Sequence, residues 1–386
     1  MFKRFYYKIR MKNKNKLKEI TALFLKLGTI AFGGPAAHIA MMEDEVVNKR
    51  KWMDRQHFLD LVGATNLIPG PNSTEMTMHC GHERAGIPGL FVAGASFIFP
   101  AVIITGIFAW LYAEYGQLPS VEPFVFGIKP AVLAIIASAI IKLGKKALKG
   151  WELGILGGLV LTVSLLGVNE ILALLAAGVA GDFYFYTKSK VTSRLKSFIP
   201  MVLFQLPAAA AVNISTVKIF WSFLKVGAVL YGSGYVLFAY LDSELVMNGW
   251  ISRQLLIDAV AIGQFTPGPV LSTATFIGYQ MGGIWGALVA TIGIFLPSFI
   301  FVLFLKPLIP KMRESKLIGY FLDSVNIAAV AVMLAVLINM SITAITDWRA
   351  VIIATISVIT VFVFKKVNAV WIVFGSAVLG YLLSLI

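Results

Sequence analysis

Long apolar runs separated by short polar loops dominate the chain. Residues 91–113, 124–141, 318–340 and 367–386 each approach the roughly 20 apolar residues that carry a helix across a bilayer. The runs are continuous rather than alternating, which predicts helices and not the strands of a barrel. Segment 58–80 is also apolar enough to enter a membrane, but it contains Pro69-Gly70-Pro71. Two prolines around a glycine cannot continue a helix. The same interruption recurs at Pro267-Gly268-Pro269.

That recurrence belongs to an internal repeat. Phe24-Leu25-Lys26-Leu27-Gly28 returns as Phe223-Leu224-Lys225-Val226-Gly227, and Glu45 returns as Glu244. Trp52, Arg55, Gln56 and Asp60 match Trp250, Arg253, Gln254 and Asp258. Gly86, Gly89, Pro100 and Trp151 match Gly283, Gly286, Pro297 and Trp348. The offset stays between 197 and 199, so only small insertions separate the copies. The expected organisation is a tail at 1–19, a first repeat at 20–187, a linker at 188–218 and a second repeat at 219–386. Six apolar segments per half plus one in the linker give about thirteen in all, the first two of each half being either crossings or re-entrant hairpins.

Composition agrees with a membrane protein. Of 386 residues 58% are hydrophobic and 13% charged, with a mean hydropathy of +0.84, against about 25% charged in soluble domains. The net charge of +14 is mostly local: residues 1–18 hold eight Lys and Arg and no acid. This reads as a cytoplasmic tail under the positive-inside rule, compatible with contact to anionic lipid, and not as a nucleic-acid site. Loop charges then set orientation. Loop 142–150 has Lys142, Lys145, Lys146 and Lys149, whereas its counterpart 341–350 has only Arg349. Loop 114–123 has no Lys or Arg, whereas 306–316 has Lys306, Lys311, Arg313 and Lys316; turn 166–170 has none, whereas its counterpart has Lys365 and Lys366. The bias reverses at all three loops, which predicts halves inserted upside down relative to one another. An extra apolar stretch at 197–217 would supply the odd crossing. The expected fold class is therefore an all-α polytopic membrane protein of two inverted-topology homologous repeats, with broken or re-entrant helices at the Pro-Gly-Pro motifs.

The breaks carry the candidate chemistry. Backbone groups freed at membrane depth must be buried in protein or line a watery cavity. Asn66 precedes the first break, and Asn72, Ser73 and Thr74 follow it, suited to capping a new half-helix whose N-terminus favours an anion. The second copy offers Gln264, Thr266, Ser272 and Thr273. A second pair of glycine breaks includes Gly33-Gly34-Pro35 and Gly232-Ser233-Gly234. Lys26 and Lys225, at equivalent places, are candidate anion-binding cations, against the alternative of snorkelling to the interface. Lys129, in an apolar stretch, is a further cation whose counterpart is Asn326. Glu75 is a candidate proton carrier; with His79, His82, Glu83 and Arg84 it otherwise reads as a charged cluster at a loop edge. Asp60 and Asp258, five residues after Arg55 and Arg253, read as ion-pair partners of those arginines. The single Cys80 excludes an intrachain disulfide and a cysteine-cluster metal site. With no phosphate loop, zinc motif or triad, neither enzymatic activity nor a cofactor or metal is expected.

The motifs Phe24-Leu-Lys-Leu-Gly28, Ala31-Phe-Gly-Gly-Pro35, Asn66-Leu-Ile-Pro-Gly-Pro-Asn-Ser-Thr74 and Gly263-Gln-Phe-Thr-Pro-Gly-Pro269 resemble those of the chromate transporter family in its long, two-domain form. The likeness spans nearly the whole chain, with Ser233-Gly234 standing in place of Gly34-Pro35 in the second copy. It implies a secondary transporter that exports chromate across the cytoplasmic membrane and confers chromate resistance, with sulfate as a related dianion. The expected partners are such a dianion and the lipid bilayer, with a homodimer as a candidate assembly. The alternatives are a channel or a transporter for another small anion or metabolite. A membrane scaffold is a third reading, in which the polar residues of the breaks would be dispensable.

Overall fold

A computed structural model describes residues 2–32, 34–116, 118–189, 215–231, 234–305, 312, 315–364 and 367–386. Gly33, Gly232, Ser233, most of the 197–217 stretch and the basic positions Lys306, Lys311, Arg313, Lys365 and Lys366 lie outside the described residues. The regular structure that is described is helical throughout.

The first half runs α1 (Phe2–Ile30), α2 (Gly34–Glu43) with a π-helical continuation (Asp44–Lys49), α3 (Arg55–Thr65), α4 (Asn72–Tyr115), α5 (Glu122–Ala147), α6 (Trp151–Leu165) and α7 (Glu170–Ser189). The second half repeats the order. It runs α8 (Thr216–Val229), α9 (Leu237–Leu241) with its π-helical continuation (Asp242–Val246) and α10 (Arg253–Phe265). There follow α11 (Thr273–Leu305), α12 (Lys316–Ala344), α13 (Trp348–Val363) and α14 (Ala369–Ser384). The copies agree down to single residues. Asp54 caps α3 by accepting from the His57 amide, and Ser252 caps α10 by accepting from that of Leu255. Both long helices bend at the same place, at Ala85-Gly86 in α4 and Gly282-Gly283 in α11. Gly86 has φ +65° and Gly283 φ +59°, the left-handed region that a residue with a Cβ avoids.

The halves interlock. Within each, the first helix packs along the long bent one, α1 on α4 and α8 on α11, and α4 meets α11 across the centre. Helix α5 packs on α13 and α14 of the second half, while α12 packs on α6 and α7 of the first. Gly127 and Gly380 let α5 and α14 cross at backbone contact, where a Cβ on either would overlap the other helix. One large core of buried side chains draws on both halves, and a smaller one lies between α1, α3 and α4.

Among the described residues five helices are long and apolar enough to cross a membrane: Asn72–Tyr115, Glu122–Ala147, Glu170–Lys188, Val270–Phe304 and Lys316–Ala344. Three shorter helices, α6, α13 and α14, are equally apolar. Large apolar side chains such as Trp151, Trp285, Trp371 and Ile342 stand fully outward, as lipid-facing positions do and water-facing ones rarely do. The chain is a multi-pass membrane protein. Helices α3 and α10, of 11 and 13 residues, span only about 16–20 Å at 1.5 Å per residue and are too short to cross. Each stops at its Pro-Gly-Pro, so segment 58–80 is two half-helices and not one span.

One expectation is corrected. Arg55 pairs with Glu43 at 2.9 Å, and Arg253 with Asp242 at 3.0 Å, rather than with Asp60 and Asp258. Positions five apart on a helix are turned about 140° from one another at 3.6 residues per turn, so the arginine and aspartate face different ways.

Candidate functional site

The two breaks are bonded across the halves. The Gly70 amide donates to the carbonyl of Leu230 at 2.7 Å, and the Gly268 amide donates to that of Ala31 at 2.9 Å. Ala31 and Leu230 are the residues just past the ends of α1 and α8, and they correspond in the repeat. Each break is thus pinned to the first helix of the other half, and groups freed by the prolines find partners, as burial demands. Glycine is required at both positions. Gly70 has φ +138° and Gly268 φ +86°. A Cβ on Gly268 would lie 3.1 Å from that of Ala101 and 3.2 Å from the Gly28 carbonyl, and one on Gly70 would overlap the Glu75 carboxyl.

Beside this junction lies a cavity of about 830 Å³. Its inner end is formed by Ala31, Gly34, His38, Asn66, Ile68 and Asn72 of the first half with Gly263, Gln264, Thr266 and Gly268 of the second. Its wall includes one face of α5, namely Ile135, Ser138, Ala139, Lys142 and Lys146, opposed by Asn326, Ala329 and Val330 of α12. Lys142, Lys146 and Lys149 are exposed, so this end is the mouth. Lys149 is paired with Asp323 at 2.6 Å, while Lys142 and Lys146 bring positive charge to the opening.

The polar groups at the inner end are held in place by one another. The Asn72 side-chain amide donates to that of Asn66 at 2.5 Å. His38 Nε2 lies 3.0 Å from the Ala31 carbonyl, which can only accept, so this nitrogen carries the proton and Nδ1 accepts from the Ser73 hydroxyl at 3.2 Å. Thr266 donates to the Ile262 carbonyl, and Thr105 lies 3.3 Å from Thr266 and 3.2 Å from Ser272. Gln264 is different. It is 9% exposed, it lines the cavity, and its amide nitrogen has no hydrogen-bond partner among the described residues. A buried N–H without a partner is uncommon, and beside a cavity it marks a place for an acceptor.

The structure therefore gathers part of the predicted set. Asn66, Asn72, Gln264, Thr266, Gly268 and Gly34 line the cavity. Pro69, Gly70, Pro71, Pro267 and Pro269 shape the breaks without being part of that lining. Ser73, Thr74, Ser272 and Thr273 are buried in the first turns beyond the breaks, where Thr273 bonds the Val270 carbonyl. Lys26 and Lys225 point elsewhere: they pair with Glu45 at 3.0 Å and Glu244 at 2.6 Å, and neither lines the cavity. Lys129 reaches Asp258 at 3.6 Å, an ion contact too long for a hydrogen bond, and Tyr112 donates to the same carboxylate at 2.7 Å. Of the group after the first break, Arg84 binds Glu19 and Glu83 meets His57, whereas His79 and Glu75 are wholly buried. His38, Ser138, Lys142, Lys146, Asn326 and Asn368 are lining residues that sequence reading did not assign to the site.

Comparison with known proteins gives this site its context. The family model described as chromate transporter matches residues 18–182 and again 217–381. A chromate transport protein of Cupriavidus metallidurans is 30% identical over 94% of this chain and 92% of its own length. A probable chromate transport protein of Synechococcus elongatus is 30% identical over 81% of each chain. An uncharacterized transporter of Methanocaldococcus jannaschii is 28% identical over 97% of this chain and 96% of its own. No solved structure matches the chain. Carrying the family's unit twice, the chain belongs to the chromate transporter family.

Proposed function

We propose that this protein is a secondary transporter that exports chromate, and the related dianion sulfate, from the cytoplasm by alternating access, and that it thereby confers chromate resistance. The unpartnered Gln264 amide at the blind end of a lysine-mouthed cavity carries the reading. A compact dianion needs N–H and O–H donors where it rests and positive potential where it enters. The Gln264 amide and the remaining amide hydrogens of Asn66 and Asn72 supply the first, beside Thr266, whose hydroxyl is committed to the Ile262 carbonyl, and Lys142 and Lys146 supply the second.

Orientation follows from charge. The basic tail, the Lys188–Lys196 linker and loop 142–150 lie in the cytoplasm of a cell whose inner membrane holds the protein. The cavity then opens inward, and the halves are inverted about the junction of the two breaks. The Lys129–Asp258–Tyr112 cluster joins α4 and α5 of the first half to α10 of the second and closes the outer side. Rocking of one half on the other exposes the dianion to the outside. An inside-negative potential assists export by about 2.3 kcal/mol per charge per 100 mV.

Purified protein in liposomes, loaded with labelled chromate or sulfate, tests this. Chromate movement that saturates and is reduced in a Gln264→Ala variant is expected. Equal movement in protein-free liposomes, or selective movement of an unrelated metabolite, defeats the reading.

A further inference from the structure

Glu75 lies on the first turn of α4, its amide donating to the Pro71 carbonyl at 3.1 Å. Its side chain has no exposed surface, and neither carboxyl oxygen has a hydrogen-bond or ion-pair partner among the described residues. The carboxyl is pressed against Gly70, since a Cβ on that glycine would overlap it. The Ser298 hydroxyl from α11 reaches the same point, 2.7 Å from where that Cβ would stand, and it too is buried and without a partner among the described residues. An ionised carboxylate in this place would lack both counter-ion and donor. The positive end of the short half-helix offsets only a small part of that penalty.

Resting on the transport reading above, we propose that Glu75 is the proton-binding site of the transport cycle, its proton locking the Gly70–Leu230 bond between the halves. The site is separate from the anion site, because Glu75 does not line the cavity. The link is short: Gly70 stands between Ile68 and Asn72, which do line it. When the junction opens, water enters and the carboxylic acid gives up its proton to that water. The resulting carboxylate accepts hydrogen bonds from the Ser298 hydroxyl and from the Gly70 amide, now released from Leu230. Protonation reverses these steps. The titratable groups around Glu75 are His79, one turn on along α4, and Tyr231, which follows Leu230 and lies within electrostatic reach, with Tyr240 of α9 behind it. The second half has no acid between Val270 and Gln280, so its Gly268–Ala31 bond carries no proton and the coupling is one-sided.

The test uses liposomes holding a pH-sensitive dye, in sodium-free buffer, with an imposed chromate gradient. Wild-type protein is expected to move protons with chromate. Glu75→Gln is expected to keep chromate counterflow and lose chromate-driven proton flux by about tenfold or more, while Glu75→Asp, which keeps the acid, retains it. Chromate movement without protons in wild type overturns this proposal alone, as does proton flux persisting in Glu75→Gln or a requirement for sodium. No chromate movement in wild type overturns the transport reading and this one with it. The Glu75→Asp variant and the wild-type arm decide the matter if Glu75→Gln does not fold.

Discussion

The carbonyl of Ala31 accepts a hydrogen bond from the amide of Gly268 at 2.9 Å. These residues are 237 positions apart, one at the end of the first helix and the other at the centre of the second break. The Leu230–Gly70 bond repeats the arrangement with the halves exchanged. Proline removes a donor and glycine opens the left-handed region, so a Pro-Gly-Pro break leaves one amide at its centre to be satisfied. Here that amide joins the halves.

The two junction glycines should resist even the smallest substitution. A residue with a Cβ in the left-handed region is disfavoured by roughly 1–2 kcal/mol before any contact is counted. Gly70→Ala should be the more damaging, because its Cβ overlaps the buried Glu75 carboxyl, whereas Gly268→Ala makes tight contacts, 3.1 Å to Ala101 and 3.2 Å to the Gly28 carbonyl, without overlap. Thermal unfolding in detergent, read beside chromate flux, should place Gly70→Ala below Gly268→Ala and both below wild type.

Gln264 should act on affinity. Losing one hydrogen bond to a charged group amounts to about 1.5–3 kcal/mol, or roughly ten- to a hundredfold in KM. Gln264→Ala should show that rise with folding intact, since the amide nitrogen has no partner to lose among the described residues. Gln264→Glu places negative charge at the proposed dianion site and should be worse than Ala in the same flux assay.

Lys142 and Lys146 should act at a distance. They sit four residues apart on the exposed end of the α5 face that lines the cavity. Replacing both by Gln should raise KM about two- to fivefold at low ionic strength, with kcat unchanged, and the difference should vanish near 0.5 M salt as screening removes the field. A salt-independent defect would place them in direct contact with the bound ion instead.

Much of this was legible in the chain. The Pro-Gly-Pro motifs mark the breaks, and the repeat matches Gly86 to Gly283, where the structure bends both long helices; the paired caps Asp54 and Ser252 emerge only from the structure. Lys26 and Lys225 are, from sequence, candidate anion ligands or snorkelling cations, yet the same offset links Glu45 to Glu244, and these are the partners the lysines take. The cavity wall was not legible, because Ser138, Asn326 and Asn368 meet only through the exchange of α5 and α12 between halves. Periodicity reports which face of a helix is buried, not which distant helix it meets.

The Lys129–Asp258 pair should separate stability from gating. Both side chains are largely buried, and Tyr112 already donates to the carboxylate. Removing one partner of a buried ion pair leaves an uncompensated charge, at a typical loss of about 3–5 kcal/mol, whereas removing both is often near neutral. Lys129→Met alone should therefore lower the unfolding temperature more than Lys129→Met combined with Asp258→Asn. In that double variant the side-chain amide that replaces the Asp258 carboxylate still offers Tyr112 a carbonyl acceptor, so the fold survives while the charge contact between α5 and α10 is gone. If this contact closes the outer side, the double variant should take up labelled chromate from the outer face faster than wild type. Near wild-type stability with unchanged uptake from that face would assign the pair to packing alone.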